Sequence, residues 1–441
     1  MSTNLTRIGE KARKEPDLVF TSLYHHVTDL DNLRGCYEAL KADKAVGVDG
    51  VTKERYGEDL EGNLQDLSDR LKRMGYRPQP SRRKYIPKPG SEKGRPLGIS
   101  CFEDKIVELA VKRVLEPIYE AIFEDSSYGY RPERSQHMCL DALGRTIQQK
   151  RVSYVVESDI RAFFDEVSHT WMIKFLEDRI GDPRIIRLVK RMLKSGIMED
   201  GLVRASDKGT PQGSILSPLL SNIYLHYVLD TWFSRRVKKQ SRGEAYYYRF
   251  ADDFLACFQY KSDADSFENG LCDRLEGFGL EVAKEKTRCI EFGRFARANA
   301  QKRGLKPKEF TFLGFTHYCG KTRHGKFKVK RRTSRKKFAQ SLRELTKWAR
   351  ESRNVLRKGE MLRRAKSRVA GHLNYYAITD NSEKCSSYLH YATRILFKWL
   401  NRKSQRNSYA WEGYLQVLAW IGWPKPSIRK NLCPFRRPVA I

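Results

Sequence analysis

Residues 246–258 read YYYRFADDFLACF, which sets two adjacent carboxylates, Asp252 and Asp253, inside a run of aromatic and aliphatic residues. An ionised carboxylate is costly to desolvate and two side by side repel each other. Such a segment folds only if the pair reaches a solvent-facing turn, meets basic partners or holds cations. About ninety residues earlier, YVVESDIRAFFDEVSH carries another carboxylate, Asp159, on a second apolar run. Short apolar runs of this kind fit buried strands. Two strands that each deliver an aspartate meet the requirement of a two-metal phosphoryl-transfer site, because Mg²⁺ takes carboxylate oxygens together with substrate phosphates. Taken singly, ADD also fits a surface hairpin tip and Asp159 a strand end, where aspartate is common.

The surrounding pattern is mixed. The first seventy or so residues have helical spacing, as in LDNLRGCYEALKA and EDLEGNLQDLSDRLKRM. GYRPQPSRRKYIPKPGSEKGRPLGIS then breaks it with prolines and glycines among basic residues, which predicts a hairpin or exposed loop. Helical spacing returns at FEDKIVELAVKRVLEPIYEAIF, strands and helices alternate after it, and from about residue 334 the chain reads as helical again. The nine cysteines are scattered with no CxxC pair, which predicts reduced thiols in a cytoplasmic protein. No long apolar span is visible, so no membrane partner is expected.

Of the net charge of +32, residues 321–441 contribute +25, from 31 Lys/Arg against 6 Asp/Glu. That excess points to a polyanion, and to nucleic acid first, since neutralising phosphates releases counterions. Aromatics interleave the basic clusters, among them Trp348, Tyr375, Tyr376, Trp399, Tyr409 and Trp411. Stacking and charge together suit structured RNA, although helical spacing assigns most of these rings to a core.

SDIRAFFDEV, GTPQGSILSPLLSNIYL, YRFADDFL, GLEVAKEKT and FTFLGF, in this order, resemble the successive motifs of reverse transcriptases. GVDGVT, YIPKPGSEKGRPLGI, SSYGYRPERS and the later GHLNYYAITDNSEKCSSYLHYATRILFKWLNRKSQRNSYAWEGY are similar to the group II intron-encoded reverse transcriptase and maturase family. The resemblance implies an α+β, right-hand polymerase: an N-terminal helical extension over 1–78, fingers and palm with an antiparallel palm sheet over 79–320, a helical thumb or maturase region over 321–420, and a short basic tail over 421–441. It implies an RNA-directed DNA polymerase that uses two Mg²⁺ ions and deoxynucleoside triphosphates on an RNA template and DNA primer, and that also binds its intron RNA to assist splicing and retrohoming. The family's zinc-dependent endonuclease is expected to be missing, so insertion would need a nick or a replication-fork primer. The alternatives are a reverse transcriptase adapted to a host role such as defence or repair, and an RNA-binding maturase with an idle polymerase.

The resemblance also implies residue roles. Asp159, Asp252 and Asp253 are the catalytic, metal-holding carboxylates, with Asp159 and Asp252 as direct ligands of both ions and Asp253 as a supporting charge. The family's tyrosine before ADD is Phe250 here. Phe164 matches the aromatic that selects deoxyribose, and Phe163 or Phe164 packs the core. Lys88 and Arg95 reach the triphosphate. Gln212, with Gly213 and Ser214, floors the template and incoming nucleotide. Lys286 sits near the departing pyrophosphate, or is a surface lysine. Phe312 and Gly314 support the primer end, although a buried strand reads the same way. Two weaker patterns are set aside: Gly320-Lys321-Thr322 lacks the phosphate-loop spacing, and His317, Cys319 and His324 match no usual zinc spacing.

Overall fold

The computed structural model describes residues 3–87, 94–204, 207–403, 408–433 and 435. The architecture is α+β, with eleven named strands among the described residues: β1 Ser81–Ile86, β2 Arg95–Ile99, β3 Tyr154–Ser158, β4 Ile197–Glu199, β5 Leu202–Arg204, β6 Ala245–Phe250, β7 Asp253–Phe258, β8 Arg288–Glu291, β9 Phe310–Phe312, β10 Phe315–Lys321 and β11 Phe327–Thr333. They form sheets ordered β2-β1-β4-β5, β6-β7-β3-β8 and β11-β10-β9. The chain divides into two compact units, one of Met1–Ser135, Val156–Ala256 and Ser262–Arg288, the other of Gln136–Val155, Cys257–Lys261 and Cys289–Ile441. Among the described residues no helix is long and apolar enough to cross a membrane.

The first unit is organised on helix Phe102–Glu120, which buries Ile106, Val107, Ala110, Val111, Val114, Leu115 and Ile118. These positions recur at three and four, so one apolar stripe faces the core. The helices Leu30–Ala39 and Leu60–Lys72 begin where Asp29 and Asp59 accept backbone N–H bonds from Asn32 and Gly62, satisfying otherwise orphaned donors. The proline-rich segment forms the expected hairpin. β1 and β2 pair antiparallel from Arg82↔Ile99 to Ile86↔Arg95, and β4 joins β1 in parallel. Two π-helical segments, His226–Asp230 and Phe233–Val237, interrupt the helix that follows Ser217–Leu225.

In the second unit β10 pairs with β11 from Phe315↔Thr333 to Lys321↔Phe327, so Gly320-Lys321-Thr322 belongs to a hairpin and not to a strand-loop-helix. His317 is fully buried and stacks on Phe310 at 4.5 Å, and Cys319 Sγ donates to the Gly293 carbonyl, leaving neither side chain arranged for zinc. Helices Arg335–Ser352, Lys358–Tyr376, Ser382–Asn401 and Trp411–Trp420 follow. Ala349, Met361, Leu362, Ala365, Leu396, Leu400, Tyr414 and Leu418 make their shared core, with Trp348, Trp399 and Tyr409 packed against it. Most of the interleaved rings are therefore structural, and the most open aromatic among the described residues is Trp420, 86% exposed.

Each unit holds imidazoles that burial keeps neutral. Burial pushes His226 in the first unit and His372 in the second down to about 4. An unfolded histidine protonates near its ordinary value, so their contribution is complete above pH about 6.5 and is lost as pH falls toward 4, by about 2 kcal/mol each at pH about 5. The expected result is a lower thermal midpoint at pH about 5 than at pH about 7. A His372→Phe variant, which keeps the stack on Tyr388, flattens the second unit's share of that loss; an unchanged pH dependence would contradict the assignment.

Candidate active site

β6 and β7 are joined by the two residues Ala251 and Asp252, a connection that permits only an antiparallel hairpin. Ala251 has φ 58°, which turns the chain so that Asp252 and Asp253 emerge at the hairpin end. The turn is also crowded: a Cβ on Gly129 would lie 2.2 Å from the Ala251 nitrogen, so position 129 accepts only glycine. Asp159 follows β3, the neighbour of β7 in the sheet. Its carbonyl accepts from Ala283 N–H at 2.9 Å and Ile160 bridges Val282, which delivers Lys286 to the Asp159 carboxylate, where it donates from Nζ.

Asp252 and Asp253 both feel the charge of Asp159, and Asp253 that of Asp252 as well. Burial raises the Asp252 carboxyl above its usual range, with the Asp159 charge adding to the shift and Arg95 and Lys286 opposing it. Asp253 keeps an exposed surface but stands in a recess, and that desolvation, with Asp252 and Asp159 beside it, pushes it up to about 6. Lys286 is raised by its bond to Asp159. Among the described residues no three His, Cys, Asp or Glu side chains are grouped as a ready metal cage. The carboxylates of Asp252 and Asp253, whose ionised forms burial and neighbouring charge disfavour, and that of Asp159, already drawn to an ammonium group, are nonetheless a donor set that suits a hard divalent cation.

The neighbouring loop is built to lie close. Phe163 is 2% exposed and meets Tyr224 edge-on, whereas Phe164 is only half-buried. The Phe164 carbonyl accepts from Thr210 N–H at 2.7 Å, tying it to the GTPQGS segment. Gln212 accepts from Gly98 N–H at 2.7 Å, and Gly213 has φ 119° with the Gly98 carbonyl 2.5 Å from where a Cβ would be. Glu108, fully buried, accepts from Ile215 N–H at 2.7 Å and from the Ser100 hydroxyl at 2.8 Å, so it fixes both the loop after Ser214 and the end of β2. Asp159, Asp252, Asp253, Lys286, Arg95, Phe164, Gln212, Gly213 and Ser214 thus all belong to the first unit. Lys88 lies outside the described residues. Phe312 and Gly314 belong to the second unit, where Phe312 is buried and Gly314, at φ 80°, lies against Tyr376.

Sequence reasoning missed the support beneath the turn. Arg249 is fully buried and donates to Asp230 (2.8 and 2.6 Å), to Asn222 Oδ1 (2.9 Å), to the Ser127 hydroxyl (2.7 Å) and to the Ala251 carbonyl (3.0 Å). Asn222 in turn donates to the Gly129 carbonyl at 2.7 Å. The signal was present: a lone arginine in the apolar strand YYYRFADD cannot be buried without an acid.

The family profile described as reverse transcriptase (RNA-dependent DNA polymerase) matches residues 86–317. The chain belongs to the reverse transcriptase family. It is 39% identical over 222 residues to the group II intron-encoded protein LtrA of Lactococcus lactis subsp. cremoris, covering 50% of this chain and 37% of that protein. It is 33% identical over 315 residues to protein YkfC of Escherichia coli (strain K12), covering 64% of this chain and 82% of that protein. Nuclear intron maturase 2, mitochondrial, of Arabidopsis thaliana is 28% identical over 179 residues, covering 31% of this chain and 24% of that protein. The match thus spans little more than a third of the LtrA relative's length.

Proposed function

We propose that this reverse transcriptase family member is an RNA-directed DNA polymerase that also binds group II intron RNA as a maturase, with a right-hand arrangement of fingers, palm and thumb. The observation that supports the reading most is that the β6–β7 hairpin end bears Asp252 and Asp253 next to β3, the strand Asp159 follows, with Lys286 bonded to Asp159. Asp159 and Asp252 would hold divalent cations through carboxylate oxygens, with Asp253 as a supporting charge. Bound there, two Mg²⁺ ions supply charge stabilisation to the attacking and leaving oxygens of an in-line displacement. Arg95 carries a guanidinium suited to grip triphosphate oxygens, and Lys286 an ammonium placed to meet the charge of the leaving pyrophosphate. Lys88 is assigned to the triphosphate with Arg95, and Phe312 and Gly314 to the primer end. Gln212, Gly213 and Ser214 form the floor under the template base and incoming nucleotide. The maturase half of the reading is supported by the printed names of the LtrA and Arabidopsis relatives and by the +25 charge of residues 321–441.

The test is extension of a DNA primer on an RNA template by the full chain, beside an Asp252→Ala plus Asp253→Ala variant. Equal extension by both proteins would overturn the site. A second expected outcome concerns the sugar. The half-buried Phe164 ring would press on C2′, so Phe164→Val admits ribonucleotides and lowers discrimination on the order of 10–100-fold, read as the ratio of kcat/KM values for deoxy- and ribonucleotides. An unchanged ratio would remove Phe164 from that role.

A further inference from the structure

The first unit carries a groove of about 650 Å³ away from the carboxylates, lined by Arg77, Arg187, Lys190, Arg191, Lys194 and three small residues, with no acid in its wall. A run of charge on a helix is ordinarily a solvated face, its cations free to spread. Here they are held together. Arg77 and Arg191 each donate from Nη1 to the same two carbonyls, those of Met74 and Tyr76, at 3.1 and 3.2 Å for Arg77 and 2.8 and 3.1 Å for Arg191. Met74 has φ 56°, which bends the chain between helix Leu60–Lys72 and β1. Among the described residues the remaining guanidinium N–H groups of this pair meet no acceptor and are left for a ligand. Arg187 and Arg191 stand one turn apart on helix Pro183–Leu193 and Lys194 caps it, so the three form one row. Among the described residues only Lys190 of the five has a carboxylate within ion-pair range, Glu177 at 3.8 Å. The crowding is felt: burial, then Arg77 and Arg187, lower the proton affinity of Arg191.

Position ties the groove to the polymerase loop. Pro78 and Ser195 of its wall also line a smaller cavity whose other side is formed by Pro211, Ser214 and Ser217. Arg77 to Pro80 lead directly into β1, whose Ser81 would be met by a Cβ on Gly98, the residue that bonds to Gln212.

We propose that this groove grips the phosphates of a single-stranded stretch of RNA through Arg77, Arg187, Arg191 and Lys194. The inference rests on the RNA-polymerase reading above for the identity of the strand. A single row of cations suits one backbone, and fixed forks suit phosphate oxygens.

The test uses the full chain and a fluorescent single-stranded RNA oligonucleotide, with affinity measured over a salt series. Arg187→Gln plus Lys194→Gln removes two exposed charges that make no backbone contact. It should flatten the slope of log K against log salt by about 1.4 and weaken binding on the order of 10-fold at about 0.1 M salt. Lys238→Gln plus Lys239→Gln, the same charge removed from exposed positions elsewhere in this unit, should move the slope by less than half as much. Coincident slopes for the groove variant and wild type would overturn the proposal, as would lost binding to phosphatidylserine vesicles with RNA binding intact. A wild type that extends primers while the slopes coincide sinks the groove alone; a wild type that extends none, while the groove variant loses RNA, sinks the polymerase reading and leaves the groove.

Discussion

Asp252→Asn should lower primer extension on an RNA template about 10³-fold and leave the protein no less stable than wild type. The substitution keeps the shape of the side chain and removes one anionic oxygen donor from the hairpin end. Transition-state charge stabilisation at such a site is worth several kcal/mol, and about 4 kcal/mol corresponds to that loss of rate. Stability moves the other way. Burial and the Asp159 charge already disfavour the ionised Asp252, so the amide relieves desolvation and repulsion. Extension rate and thermal midpoint, measured on the same preparation, separate loss of chemistry from loss of fold. A variant retaining a tenth of the wild-type rate would remove Asp252 from the centre of the reaction.

Arg249→Ala should cost roughly 3–5 kcal/mol of stability, because the Asp230 carboxylate, 1% exposed, would be left buried without its countercharge. That loss alone would fit a purely structural pair. Arg249→Met combined with Asp230→Leu distinguishes the roles. Replacing a buried ion pair with apolar residues of similar volume is often neutral or stabilising, so the double variant should recover its melting temperature. The Ala251 carbonyl and Asn222 would still lack their donor, and the left-handed turn that aims Asp252 would lose its anchor. Extension by the double variant should stay on the order of 10²-fold low, the penalty for misplacing a reacting group by about 1 Å. Wild-type extension from a stably folded double variant would reduce Arg249 to a packing element.

The hairpin of β6 and β7 and the core packing of one ring of the Phe163–Phe164 pair were legible because they follow from local rules: an apolar run broken by carboxylates must turn, and a ring just after an apolar strand finds the core beside it. The β1–β2 hairpin was readable from its prolines and glycines for the same reason. The partners of Arg249 were not. Asp230 reaches it through a π-helical segment, which adds a residue to the turn and shifts the face that every later side chain presents; helical spacing read at 3.6 residues places Asp230 elsewhere. Glu108 was equally hidden, since its partners Ile215 and Ser100 lie on segments 107 and 8 residues away and bond through a backbone amide and a hydroxyl that carry no pattern.

The interleaving of the two units along the chain bears on biogenesis. Helix Gln136–Gln149 sits in the unit completed by residues 289–441, and its Leu140 carbonyl waits for Arg331, 191 positions later, while Gln148 waits for Val329, 181 positions later. A ribosome that has emitted the first three hundred residues has therefore delivered every segment of the first unit but only part of the second, whose helix Gln136–Gln149 keeps its apolar face uncovered until residues 329–331 follow. Fragments cut before residue 321 would inherit that exposure permanently, so their insolubility would report broken connectivity and nothing about the role of the missing segment.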